Sequence, residues 1–293
     1  AGGAFSAALS LVALIFPMDA ALLVGPFSMK ISPAIQVLGR SLAFDPAQGS
    51  LIAAIYGLAA LWFFGARASG AANRFVSLGL VVVALLTASI AVQPFLFAAL
   101  LMNIAAMLVI PLLAPLYQPP GRGAVRFLIY QTIAMPFILF SGWLLAGVEA
   151  GPSEFGATLQ AGAVLLLGFA FLLGVFPLYN WIPMLMEEAH PYVTGFLLWA
   201  LPTFTIIFAL GFLDRYAWLR SSPQLFSAIQ ISGAIMAASG GLFALQEKHI
   251  GRIMGYAAVV EVGLLVLALS VKSSDLTDIV FLLLLPRGLE LAI

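Results

Sequence analysis

The sequence predicts an all-α integral membrane protein with about ten transmembrane helices, and three observations carry that prediction. Of 293 residues, 63% are hydrophobic and 8% are charged, with a mean hydropathy of +1.13; a soluble domain is about 25% charged. The apolar segments run for about 20 residues, the length that crosses a bilayer, and do not alternate as barrel strands do. Finally, Leu167–Pro183, LGFAFLLGVFPLYNWIP, is a helical apolar run that meets two prolines. Pro177 lacks the N–H that a continuing helix needs and disfavours helix in the residue before it. One helix is therefore expected to be discontinuous. Such breaks persist in membranes only where protein or a water-filled cavity meets the freed backbone groups.

In chain order, the first span is expected at Ala4–Val24, with Asp19 late in it. It is not a persuasive signal peptide, since no basic region precedes it and Pro17 interrupts it. Gly25–Pro46 is more polar, with Phe27, Met29 and Ile31 alternating between glycines and prolines, which reads as an extramembrane β-hairpin. Asp45 is placed to cap the second span, Ala47–Gly65. Further spans are expected at Phe75–Val92, Phe95–Leu116, Ala124–Gly147, Thr158–Leu178, Val193–Leu213, Gln224–Leu245 and Ile253–Val271, with a tenth starting near Thr277. The chain starts with Ala and its last segment stops inside an apolar run, so it reads as open at both ends.

Alternating spans put Arg67, Arg74, Arg122, Arg126, Lys248 and Arg252 on one side. Lys30, Arg40, Arg215, Arg220 and Lys272 fall on the other, with Glu149 and Glu154. The positive-inside rule places the Arg67 and Arg252 loops inside. Twelve basic residues balance twelve acidic ones, so no charge excess points to nucleic acid. There are no cysteines, hence no thiolate metal centre or disulfide, and two histidines, His190 and His249, stand far apart. With no nucleotide fingerprint or haem ligand pair either, no cofactor or metal is expected in this chain.

The Leu167–Pro183 stretch, followed by EEAHPYVTGFLL, resembles the signature of the antiporter-like membrane subunits of respiratory complex I, Mrp-type sodium/proton antiporters and membrane-bound hydrogenases. That signature reads G-F-A-x-K-x-x-x-F-P-F-H-x-W-L-P, then E-A-P-x-P-V-S-A-x-L. Arg252–Gly263 resembles the family's K-R-x-x-A-Y-S-S-I-x-H-x-G, Leu42–Asp45 its L-x-x-D, Val92–Met107 its segment ending F-W-E-L-M-S-L, and Arg126–Ile129 its K-Y-F-L. The resemblance implies two inverted five-helix repeats, each with a half-channel joined at mid-membrane by charged residues. Residues 75–213 would form the first repeat after an N-terminal part, 1–74; residues 224–293 would begin a second, incomplete one, all within one transmembrane domain. It also implies an energy-coupling membrane, such as a bacterial inner membrane, and other membrane subunits as partners.

In that family a buried glutamate faces a buried lysine, each holding the other's charge where a lone ion is costly. This sequence departs from the pattern. The glutamate position reads Asn103 and the lysine of the broken helix reads Leu172; the next lysine falls on Pro202 or Thr203, and the one before Arg252 reads Gly251. In the tenth span a histidine position reads Pro286 and a lysine position Glu290, while Glu261 stands where the family has histidine. Losing both Asn103 and Leu172 charges together avoids an unpaired ion. The first half-channel therefore reads as disarmed.

Glu261, Glu290 and Lys248 are the proton-relay candidates, Glu261 pairing with Lys248 or Glu290. Against this, Glu261 reads as a hydrogen-bonded structural acid, Glu290 as a local partner of Arg287, and Lys248 as part of a basic turn. Glu187, Glu188 and His190 are candidates for proton uptake or release, or else a solvated loop; their spacing lacks further ligands for a metal. The expected function is a membrane-arm subunit of a complex-I-like redox complex with impaired or absent conduction in its first half. The alternatives are an Mrp-like cation/proton antiporter using Glu261 and Glu290, and a non-conducting spacer.

Overall fold

The protein is seen here in a computed structural model, which describes residues 1–15, 21–24, 27–30, 34–37, 39–45, 48–71, 74–114, 119–145, 155–220, 222–271, 282–283 and 286–292. The helices are α1 (Gly2–Ile15), α2 (Gly49–Gly65), α3 (Arg74–Ala91), α4 (Phe97–Leu113), α5 (Arg122–Leu144), α6 (Phe155–Leu173), α7 (Trp181–Glu188), α8 (Pro191–Arg215), the short α9 (Ala217–Arg220), α10 (Pro223–Gln246) and α11 (Ile250–Leu269). Residues 286–290 are also helical. Among the described residues, six helical stretches are long and apolar enough to cross a membrane; α1, α2 and α4 are shorter apolar helices. The expected start of the tenth span, with Lys272, lies outside the described residues, as do Asp19, Glu149 and Glu154.

The first span is shorter than expected. Helix α1 ends at Ile15, and residues 21–24 form strand β1 (Ala21–Val24), paired antiparallel with β2 (Phe27–Lys30). A short apolar run does not distinguish helix from strand, and here pairing with residues 27–30 decides it. A second hairpin, β3 (Ala34–Val37) with β4 (Arg40–Ala43), turns at Gly39, whose φ is +74°. The single expected hairpin is thus two. Strand β4 also pairs with β5 (Val92–Gln93), which precedes a cis Gln93–Pro94 bond, and the Arg40 guanidinium lies 3.9 Å from the centre of the Phe97 ring. These contacts tie the hairpin to the start of α4. The residue at the N-cap of α2 is Gln48 rather than Asp45, and it makes no side-chain capping bond.

Helix α8 is the central post. It is apolar on every side, and a helix of that kind has to be surrounded. Its span is 89% buried, against 17% for α10. Phe196 and Trp199 of α8 join Trp62, Phe63 and Phe75 in an aromatic cluster, and the Tyr192 hydroxyl donates to the Trp62 carbonyl at 2.7 Å. Helices α3, α4, α6, α7 and α11 all touch α8.

Candidate functional site

The discontinuity falls where the prolines predicted it. Helix α6 stops at Leu173, and Gly174 takes φ +63°, a left-handed conformation that glycine adopts without strain. The Val175 N–H then donates back to the Ala170 carbonyl at 2.8 Å, closing a Schellman-type end. After the cis Phe176–Pro177 bond a 3-10 turn at residues 178–180 leads into α7, with Pro183 in its first turn, where a missing N–H costs nothing. The break therefore opens into a second short helix, which the apolar pattern alone had not separated from a loop.

Ending α6 leaves the Leu172 carbonyl without a helical partner. It accepts a hydrogen bond of 3.0 Å from the side-chain amide of Gln131 on α5, which is itself buried. One turn further along α5, the Met135 sulfur accepts a 3.6 Å contact from the Asn103 amide, while Asn103 Oδ1 is buried without a partner among the described residues. Asn103 and Leu172 thus both engage α5 through neutral groups, with residues 131–135 between them. No charged residue stands in α4 or α6.

On α8, Pro202 has no N–H for the carbonyl four residues earlier, that of Leu198. That carbonyl accepts a 2.6 Å bond from Nη2 of Arg287, in the helical residues 286–290. Nε of the same guanidinium donates to Oε2 of Glu261, near the middle of α11, at 3.3 Å. Arg287 is 4% exposed and the Glu261 side chain 24%. Glu261 therefore faces Arg287 rather than Lys248 or Glu290, the partners expected from the sequence. Spacing along the chain gives no hint of this pair, because its members lie 26 positions apart. Glu290 is exposed and adds a like charge to the surroundings of Glu261. Lys248 is exposed in the turn before α11, about 16 Å along the helix from Glu261 at 1.5 Å per residue. Thr203 is buried, and its hydroxyl and Arg287 Nη1 have no partner among the described residues.

Glu187, Glu188 and His190 sit together at one end of the molecule, each with a structural task. Glu187 pairs with Arg252 Nε at 2.5 Å, and Arg252 also reaches Glu247 at 3.4 Å. Glu188 accepts the Gly123 N–H at 2.7 Å, capping the start of α5, where a negative charge is favoured. His190 is the N-cap of α8, its carbonyl accepting the Thr194 N–H. At this end Arg74 also donates to the Ala114 carbonyl at 3.0 Å, so the loops that alternation put on one side do meet. Gly251 has a packing reason: a Cβ there would lie 2.7 Å from the Met186 carbonyl oxygen, and one at Gly255 would run into the Pro183 backbone. Helix α11 crosses α7 with backbone against backbone, and no lysine fits at 251.

A cavity of about 390 Å³ between α6, α8, α10 and α11 is walled by apolar groups such as Phe169, Leu173, Phe212, Leu225 and Val266. None of the candidate residues lines it. Among the described residues, no three of His, Asp and Glu converge as a metal site would need.

Residues 144–288 match the family model described as NADH:quinone oxidoreductase/Mrp antiporter, transmembrane. Over these residues the chain is a member of the antiporter-like membrane subunits of the complex I and Mrp family. Among the curated members of this family, NADH-quinone oxidoreductase subunit N of Geotalea uraniireducens is 28% identical over 168 residues, 53% of this chain and 35% of its own length. The subunit N of Desulforudis audaxviator is 27% identical over 254 residues, 80% of this chain and 50% of its own. The chain spans about a third to a half of such relatives. A chain of the Mrp complex from a Dietzia species superimposes with a TM-score of 0.79 at 15% identity, over 99% of this chain and 33% of that one. A chain of the membrane-bound sulfane sulfur reductase, an archaeal respiratory membrane complex, gives 0.65 at 17% identity, over 99% and 49%. The chain is an integral, multi-pass membrane protein with the antiporter-like fold.

Proposed function

We propose that this chain serves as a membrane-arm subunit of an energy-converting redox complex and that its first half does not conduct protons. The observation that carries the reading is the contrast in charge along the buried axis. Asn103, Leu172, Pro202 and Thr203 are uncharged, and the bonds seen there are to neutral groups: the Asn103 amide to a thioether, and the Leu172 carbonyl to the Gln131 amide. The charge lies instead on Glu261 and Arg287. Arginine stays protonated at any physiological pH, so the group that can load and release a proton there is Glu261. Glu290, exposed nearby, is a candidate for the next relay position, and residues 75–213 and 224–293 act as the complete and the partial repeat. Helices that present apolar faces to their surroundings, α10 above all, offer contact area to lipid and to other membrane subunits.

Two measurements test this. The chain, expressed with its native neighbours, is expected to co-purify with other membrane subunits, and Glu261→Gln is expected to lower proton translocation by the intact assembly. Unchanged translocation would leave a spacer role. The likeness to an Mrp complex chain favours a second reading, cation/proton exchange. Sodium-driven proton exchange by the purified chain alone in proteoliposomes would replace the redox-complex reading with that one.

A further inference from the structure

Pro202 and Arg287 are 85 residues apart in numbering, yet one supplies what the other uses. A proline inside a helix takes away the N–H that would bond the carbonyl four residues before it, and α8 contains Pro202. In a buried, apolar helix that carbonyl needs a donor from elsewhere. Leu198 is fully buried, and its carbonyl receives the Arg287 guanidinium at 2.6 Å. The guanidinium fork then presents Nε to Glu261. Small residues allow the approach: a Cβ at Gly288 would touch Leu58 and Trp199, and one at Gly195 would lie 2.7 Å from the Leu291 carbonyl oxygen. The helical residues after Pro286 are thereby seated against α2 and α8.

We propose that Pro202 is a positioning residue for Glu261, acting through Arg287: by freeing the Leu198 carbonyl it creates the acceptor that fixes the guanidinium opposite the carboxylate. This holds whether or not the protein moves protons, because it concerns where a charge is held. With an ordinary residue at 202, the helix would reclaim the Leu198 carbonyl and Arg287 would lose one of its two anchors. Glu261 would then face a cation free to swing.

The test uses the whole chain in bilayers, labelled with carbonyl-13C leucine and 15N tryptophan. The sequence contains Leu-Trp twice, at Leu61–Trp62 and Leu198–Trp199, so solid-state NMR shows two correlated carbonyl signals and the first serves as reference. Arg287→Gln is expected to move the Leu198 signal and leave that of Leu61. Pro202→Ala is expected to move it towards the ordinary helical position, after which Arg287→Gln causes no further change. Glu261→Gln should leave it in place, since the carbonyl bond does not involve that residue; this variant also serves if Arg287→Gln fails to fold. The infrared carboxyl band of Glu261, assigned by its loss in Glu261→Gln, should be altered by Pro202→Ala although residue 202 does not touch it. An equal Arg287→Gln effect with and without Pro202, or a Glu261 band indifferent to Pro202→Ala, would overturn the proposal.

Discussion

Where α6 ends, the Leu172 carbonyl is met by the neutral amide of Gln131; where Pro202 interrupts α8, the Leu198 carbonyl is met by the guanidinium of Arg287. Both are buried backbone acceptors set free by a broken helix ladder, and both take a side chain from another helix. The donors differ in what they demand. An amide closes the account of hydrogen bonds by itself, and its surroundings, with Asn103 against Met135, stay uncharged. A guanidinium brings a full charge that an apolar interior does not tolerate alone, so it requires a counterion, which is Glu261. A charged site in this fold is thus a matter of which donor answers a freed carbonyl, and the two junctions can be told apart by what breaks them.

The largest effect is expected at the charged junction. Arg287→Met leaves Glu261 without its counterion and should lower stability by about 3–5 kcal/mol, measured by denaturation in bicelles. The penalty should shrink as pH falls, because protonating Glu261 removes the uncompensated charge, and it should shrink when Glu261→Gln is added. If Arg287→Met costs no more than a surface substitution, the charged junction has no special standing. Gln131→Leu, at the neutral junction, orphans a buried carbonyl and should cost about 1–3 kcal/mol. That cost should be the same at pH 5 and pH 8, since neither partner titrates; a pH-dependent loss would mean that an ion is hidden there. Glu188→Gln removes a charged cap from the start of α5 and should cost about 1 kcal/mol. Arg252→Gln breaks an exposed pair with Glu187 and should change stability by less than about 1 kcal/mol, by an amount that high salt abolishes.

The scaffold was legible because it is written in strong local signals. Long apolar runs point to the helices, and Pro177 and Pro183 to the break, whereas the left-handed Gly174 that ends α6 is visible only in the structure. The first hairpin was missed in part because Ala21–Val24 is apolar enough to pass for the end of a membrane helix, and its pairing with residues 27–30 is a tertiary fact. The site was less legible, for a specific reason. Its key acceptors, at Leu172 and Leu198, are backbone carbonyls, and the identity of a leucine says nothing about whether its carbonyl is free. The partner of Glu261 was visible only as a residue beside Pro286, and nothing local separates a pair with Glu290 from one with Glu261. A proline four residues after a buried position is the signal that would have pointed to Leu198. Gly251 and Gly255, one turn apart on α11, likewise announce a close helix crossing. In the family pattern Gly251 stands only for a missing lysine.

That crossing has a mechanical side. At Gly251 and Gly255 the backbone of α11 bears directly on the backbone of α7, with no side chain between to bend or change rotamer. Such a contact has little slack, since packed interiors compress poorly. Glu187 and Arg252 meet across the same two helices at their rim. The short helix beyond the break and the helix bearing Glu261 are therefore packed as one unit. A displacement of α7 is expected to be felt at the carboxylate, about 15 Å away and ten residues up the rod.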